Sequence, residues 1–212
     1  MIDLIKMILD EILSTFFQLL LFTGIPFIFY LFASNRYTNF FSYIGLNSAN
    51  RKGIYISVFI SLMIASPLII LSIINKDIKE IFLDPNSVTG KIHEIGFGFE
   101  SIFLILILAI FKTALSEEIL FRGFITKRLI NLTSFKVGNS IQALLFGLIH
   151  VLFLFAININ IGFVLIVFIF LTFAAYMMAY VNEEVAEGSI IPGWIAHATG
   201  NLLSYSIIGL FL

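Results

Sequence analysis

Two adjacent carboxylates and an arginine, Glu117, Glu118 and Arg122, close an apolar run from Ile102 to Leu115 that only Lys112 and Thr113 interrupt. A charge at the bilayer centre costs about 2.5–3.5 kcal/mol on insertion scales, so three charges in such a setting call for a functional reason. Glu118 and Arg122 are four apart and on a continuous helix share a face and pair. Glu117 is turned away by about 100° and stays free for proton transfer. His150, in Phe146-Gly147-Leu148-Ile149-His150, falls in the middle of another apolar segment, and His197 and Asn201 share a helical face in a third. The small residues Ala196, Ala198 and Gly200 beside them let a neighbouring helix approach closely.

A carboxylate, two imidazoles, an amide and a guanidinium are the parts of a hydrolytic site. Carboxylate and imidazole can deprotonate a water, while Asn, His and Arg can stabilise an oxyanion. The same Glu and His side chains could instead ligate a divalent metal that activates the water. Each motif alone also has a structural reading: a snorkelled charge cluster at a helix end, a satisfied core histidine, polar glue between helices. The combination shifts the balance. The chain has only three histidines, two of them inside apolar segments. Glu117 and Glu118 read as the only acidic residues abutting a span in an otherwise apolar context.

The elements that must position these residues are membrane spans. Hydrophobic residues make up 60% of the 212 and charged residues 12%, half the roughly 25% of a soluble domain. A net charge of −1 gives no support to nucleic-acid binding, and the absence of cysteine excludes disulfides, thiolate metal sites and cysteine nucleophiles. The pattern predicts an all-α polytopic bundle of about six spans: 12–33, 53–75, 95–116, 138–157, 161–181 and 190–212, the first read as a retained span and not a signal peptide. Pro26 and Pro67 fall inside the first two as expected kinks. Segment 76–94 is the most polar and contains the turn signal Asp84-Pro85-Asn86-Ser87. Phe121 to Asn131, with Arg122, Lys127 and Arg128, reads as a short amphipathic interfacial helix. The loops around Arg36–Lys52 and Lys127–Lys136 are richest in basic residues, which places both on the cytoplasmic side and the Glu117/Glu118 pair at the cytoplasmic end of its helix. Residues 1–212 then form one integral membrane domain. Twenty-five phenylalanines with abundant Ile, Asn and Lys fit an AT-rich bacterial genome and a bacterial cytoplasmic membrane location.

Glu-Glu-x-x-x-Arg, Phe-x-x-x-His and His-x-x-x-Asn, in this order on successive segments, resemble the CPBP family. These are the CAAX-protease and bacteriocin-processing membrane proteins, also called the Abi family, related to Rce1-type prenyl-protein endopeptidases. The flanking words Ile119-Leu120-Phe121 and Gly188-Ser189-Ile190-Ile191-Pro192 agree. The resemblance covers Ile102 to Asn201; it implies a catalytic core of about 95–212, with the two N-terminal spans (about 12–75) as additions. It implies that Glu117 is the general base, with His150 orienting the water, that Arg122, His197 and Asn201 stabilise the oxyanion and shape the site, and that Glu118 supports them. It leaves metal dependence open: a glutamate mechanism without cofactor is favoured, and a zinc ion, if bound, would be held by Glu117, His150, His197 and Asn201.

Other intramembrane protease types fail on residues. His93-Glu94 is followed by Phe97 where a zinc protease needs histidine, Asp3, Asp10, Asp77 and Asp84 lie outside or at the edges of spans, and no Gly-x-Ser-Gly word occurs. The expected substrate is a peptide or small membrane protein delivered from the lipid bilayer, such as a bacteriocin or pheromone precursor, with no nucleic-acid partner. The alternatives are a non-enzymatic immunity or scaffold protein on the same fold and, more weakly, a small transporter, for which no repeat halves are visible.

Overall fold

The structure, a computed structural model, describes residues 2–32, 39–155 and 160–212. Ala33, Arg36 and Ile157, which enter the expected span ends and the basic-loop argument, lie outside the described residues. Every element within them is helical: α1 (Ile2–Phe32), α2 (Phe40–Ile44), α3 (Arg51–Ile74), α4 (Lys76–Phe82), α5 (Val88–Ile95), α6 (Phe99–Leu132), α7 (Phe135–Phe155), α8 (Ile161–Val185) and α9 (Ile191–Phe211). Pro26 and Pro67 lie inside unbroken helices. The Asp84–Ser87 turn forms as expected, closed by Ser87 N–H donating to Asp84 O at 2.8 Å.

Five of these helices, α1, α3, α6, α7 and α8, are long and apolar enough to cross a membrane, which makes the chain a multi-pass membrane protein. The expected sixth span, α9, has the length, 21 residues, but is not among them. Its sequence carries Pro192, Gly193, His197, Thr199, Asn201, Ser204 and Ser206, polar and small residues that suit a helix enclosed by others better than one bathed in lipid. Two further expectations are corrected. The separate interfacial helix over Phe121–Asn131 does not exist, because α6 runs on without interruption to Leu132. Glu117 and Glu118 consequently lie near the middle of a 34-residue helix and not at its end. Nor are they alone: Glu11, inside α1, is 6% exposed.

α6 is the axis of the bundle. α1 lies along one side, parallel to it, with Gln18 against Lys112 and Phe29 against Phe124 (ring centroids 5.0 Å apart). α9 lies along another side, backed by α3 and α5, and α7 packs against α8. Lipid tails are as apolar as leucine, so close backbone approach and polar contacts hold such helices together. At the α7–α8 contact the buried small residues Ala143 and Ala175 pack in one cluster. Asn139 donates to Tyr176 O and Gln142 to Ala175 O across it. A Cβ at Gly147 would stand 2.2 Å from Thr172 Oγ1 and 3.1 Å from Phe168 O.

Most of α6 is wound wider than an α-helix. Ile107–Leu115 and Glu118–Thr126 are π-helical, joined by Ser116 and Glu117. Hydroxyls follow the shifted register: Thr113 donates to Leu108 O and Thr126 to Phe121 O, each five residues back, at 2.9 Å. The last turn of α8, Val181–Val185, is π-helical too.

One end of the bundle is latched. Lys127 donates to Glu183 Oε1 (2.6 Å) and Gly188 O (2.7 Å), and Arg128 stacks on Tyr43 with Cζ 4.0 Å from the ring centroid. Ile190 N–H donates to the carbonyl of Gly45, whose φ of +74° suits glycine. These contacts fix where α9 starts and hence where His197 falls. Gly147→Ala should lower stability in detergent by about 1–3 kcal/mol through overpacking, measured by thermal or denaturant unfolding. Gly24→Ala, where nothing lies within 4 Å of the added Cβ, should not.

Candidate functional site

Five of the six residues singled out in the sequence converge where α6, α7 and α9 meet. Glu118 and Arg122 are both fully buried, with Oε1 and Nη1 3.1 Å apart, within ion-pair range but off the hydrogen-bonding direction. Arg122 places its Cζ 4.3 Å from the Phe146 ring centroid, so the guanidinium is also held by a cation–π contact from α7. The pairing of Glu118 with Arg122 is as the i, i+4 spacing predicts.

Glu117 turns to the other side. Its Oε2 lies 3.8 Å from His150 Nε2 and 3.9 Å from His197 Nε2, and hydrogen-bonds to nothing among the described residues. His150 Nδ1 lies 2.8 Å from Phe146 O. A carbonyl can only accept, so Nδ1 carries the proton of that bond and Nε2 of the neutral ring turns its lone pair to Glu117. His197 spans both glutamates, with its Nδ1 3.5 Å from Glu118 Oε1. The separation of the glutamates is therefore incomplete: Glu117 and Glu118 face different partners but share His197. Asn201 follows one turn along α9, its Nδ2 buried and without a hydrogen-bond partner among the described residues.

The sequence reading missed Asn182, which falls just past the expected span 161–181. It is fully buried, its Nδ2 donates to Glu118 Oε2 (3.4 Å), and its Oδ1 accepts from Gly193 N–H (2.7 Å). It thereby ties the end of α8 to the start of α9 through the carboxylate. A Cβ on Gly193 would stand 2.5 Å from both Asn182 Nδ2 and Glu118 Oε2, so glycine is what lets the helix start pass so close. The signal available was an amide just after an apolar run, followed by Pro-Gly at a helix start. Tyr205 was missed as well. Thr113 Oγ1 donates to Leu108 O, which leaves Tyr205 OH to donate to Thr113 Oγ1 at 3.3 Å, one turn before Glu117.

The side chains of Glu117 and His197 are 14% and 13% exposed, and that of His150 32%, so the cluster opens past His150. Around it on α7, Leu145, Leu148, Ile149 and Leu152 are 41–56% exposed. The opening thus faces the apolar side of a membrane helix. A tetrahedral zinc ion bound to both would hold a carboxylate oxygen and an imidazole nitrogen about 3.4 Å apart. The gaps here are 3.8 and 3.9 Å. Among the described residues no group of three or more His, Cys, Asp or Glu side chains is set to hold a metal ion.

The chain is an all-helical membrane bundle with a buried Glu–Arg pair and a glutamate between two histidines. Residues 99–203 match the family described as type II CAAX prenyl endopeptidase Rce1-like, and over this segment the chain is similar to that family. The matched segment holds all six residues and leaves out α1 and α3. Neither a curated protein nor a solved structure matches the chain.

Removing one partner of a buried ion pair leaves the other charge uncompensated, at a cost of about 3–5 kcal/mol. Arg122→Met should therefore lower the unfolding free energy by that order in detergent. The double variant Glu118→Gln/Arg122→Met should recover much of the loss.

Proposed function

We propose that the protein is an intramembrane endopeptidase that hydrolyses a peptide bond in a substrate delivered from the bilayer, with water activated by Glu117 and His150. The observation that carries this reading is the pair of facing acceptors, Glu117 Oε2 and His150 Nε2, 3.8 Å apart. Two acceptors at that separation attract a molecule that donates to both, and one water about 2.8 Å from each meets the geometry. Such a water points its lone pairs away from both side chains, toward an incoming carbonyl carbon.

In the proposed reaction the water oxygen bonds to the carbonyl carbon while its proton passes to Glu117, and the C=O pair becomes an oxyanion. His197 and the unpartnered Asn201 Nδ2 are the donors nearest that role. Collapse of the intermediate breaks the C–N bond, and the proton held by Glu117 goes to the departing amine. Arg122 is fully buried beneath Phe146, so its proposed part is to hold Glu118 and, through it, His197. The steps are carried by the side chains alone.

The exposed apolar surface around His150 supports entry from lipid. For the substrate we favour a small peptide precursor, such as a bacteriocin, pheromone or leader, in a bacterial cytoplasmic membrane. Peptidomics of membrane fractions should show one short precursor accumulating with Glu117→Gln and disappearing with the unsubstituted chain. Identical peptide profiles would count against the protease reading and in favour of an immunity or scaffold role.

On that precursor, Glu117→Gln and His150→Ala should each slow cleavage by about 10²–10⁴-fold, as loss of general base catalysis does. The double variant should be little slower than either, because the two act on one water. Chelators should leave the rate unchanged, and loss of activity restored by zinc would assign water activation to an ion.

A further inference from the structure

α1 lies outside the segment that matches the family, and it is the most lipid-exposed of the five spanning helices, with 11% of its apolar window buried. Apolar surface gives a helix in lipid little reason to dock at one place, so its polar residues must set where it sits. Three of them form one stripe at spacings of four and three: Glu11, Thr15 and Gln18. Thr15 donates to Glu11 O at 2.7 Å, within α1. The other two meet at Lys112 of α6. Glu11 Oε2 pairs with Lys112 Nζ at 2.6 Å, while its Oε1 takes Lys91 of α5 at 2.5 Å. Gln18 Nε2 donates to the backbone carbonyl of Lys112 (2.7 Å) and to Ser116 Oγ (2.9 Å), and Ser116 in turn donates to the same carbonyl.

Lys112 and Ser116 bracket the point where the first π-helical stretch of α6 ends and Glu117 begins. There Ser116 N–H reaches back five residues to Phe111 O, so the Lys112 carbonyl is freed from the ordinary α partner. Gln18 and the Ser116 hydroxyl take it up. We infer that Gln18 is a positioning residue for Glu117: by bonding the Lys112 carbonyl and the Ser116 hydroxyl from α1, it fixes the rotation of the helix at the carboxylate. Glu11 anchors the same residue by its ammonium group and so keeps Gln18 in register. The inference rests on the reading of Glu117 as the working carboxylate, and it makes α1 part of the site's scaffold although it touches none of the reacting groups.

The three histidines allow a test that needs no substrate. His150 and His197 face Glu117, whereas His93 is an exposed residue of α5. In full-length protein labelled with ¹⁵N-histidine, Gln18→Leu should shift the ring-nitrogen resonances of His150 and His197 and leave those of His93 in place. Spectra in which all three coincide with the unsubstituted chain overturn the inference, as do spectra in which His93 moves as far as the other two. Should Gln18→Leu fail to fold, Ser116→Ala, which removes the other side of the contact, decides by the same criterion. Glu117→Gln provides the reference. If it leaves His150 and His197 unmoved, the Glu117–histidine arrangement itself is wrong, a failure distinct from that of Gln18.

Discussion

The buried pair Glu118–Arg122 is the constraint on which the surrounding arrangement depends. Both side chains have no exposure, and each charge would be costly alone in a low-dielectric interior, so neither can move without the other. Three neighbouring helices are tied to the pair. α7 lays Phe146 over the guanidinium, α8 ends with Asn182 bonded to the carboxylate, and α9 brings His197 to its second oxygen. A pair that could be dismissed as a costly structural clamp is therefore the datum from which three helices take their position. Glu117 inherits that precision as the next residue in the chain, while remaining free of hydrogen bonds itself.

The rest of the bundle solves the same problem by other means. Where no charge is available, helices meet through glycine and alanine, as at Gly147 and Ala175, or through amides that reach a neighbour's backbone, as with Asn139 and Gln142. The latch at Lys127, Glu183 and Gly188 sets the entry of α9. Polar residues thus lie where backbone direction must be fixed, and the apolar faces of α1, α3 and α7 are left to lipid.

The motif residues were legible because hydropathy makes a charge in an apolar run conspicuous, and spacing of four then pairs Glu118 with Arg122. Helix type was legible for the same reason. What the sequence hid has three physical causes. Length alone cannot separate an outer span from an enclosed one, so α9 read like the others although its polar residues make it less apolar than the five spanning helices. A basic stretch such as Arg122–Arg128 has the pattern of an interfacial helix, and only the buried partners of Arg122 and the stack of Arg128 on Tyr43 show that it continues α6. Contacts of high sequence separation, such as Gln18 with Ser116 or Asn182 with Glu118, leave no local periodicity. Asn182 and Glu11, each one position outside an expected span, were accordingly passed over.

The wide winding of α6 changes how its sequence must be counted. In an α-helix, deleting one residue turns everything beyond it by about 100°, and tertiary contacts sometimes absorb the slip. Between Ile107 and Thr126 the backbone has already taken up the slack that such a slip would use, and Thr113 and Thr126 have their hydroxyls matched to carbonyls five residues back. The segment is thus tuned in length as well as in composition. A residue added or lost between Glu118 and Arg122 would turn the two side chains apart and break their pair, whatever side chains surrounded them.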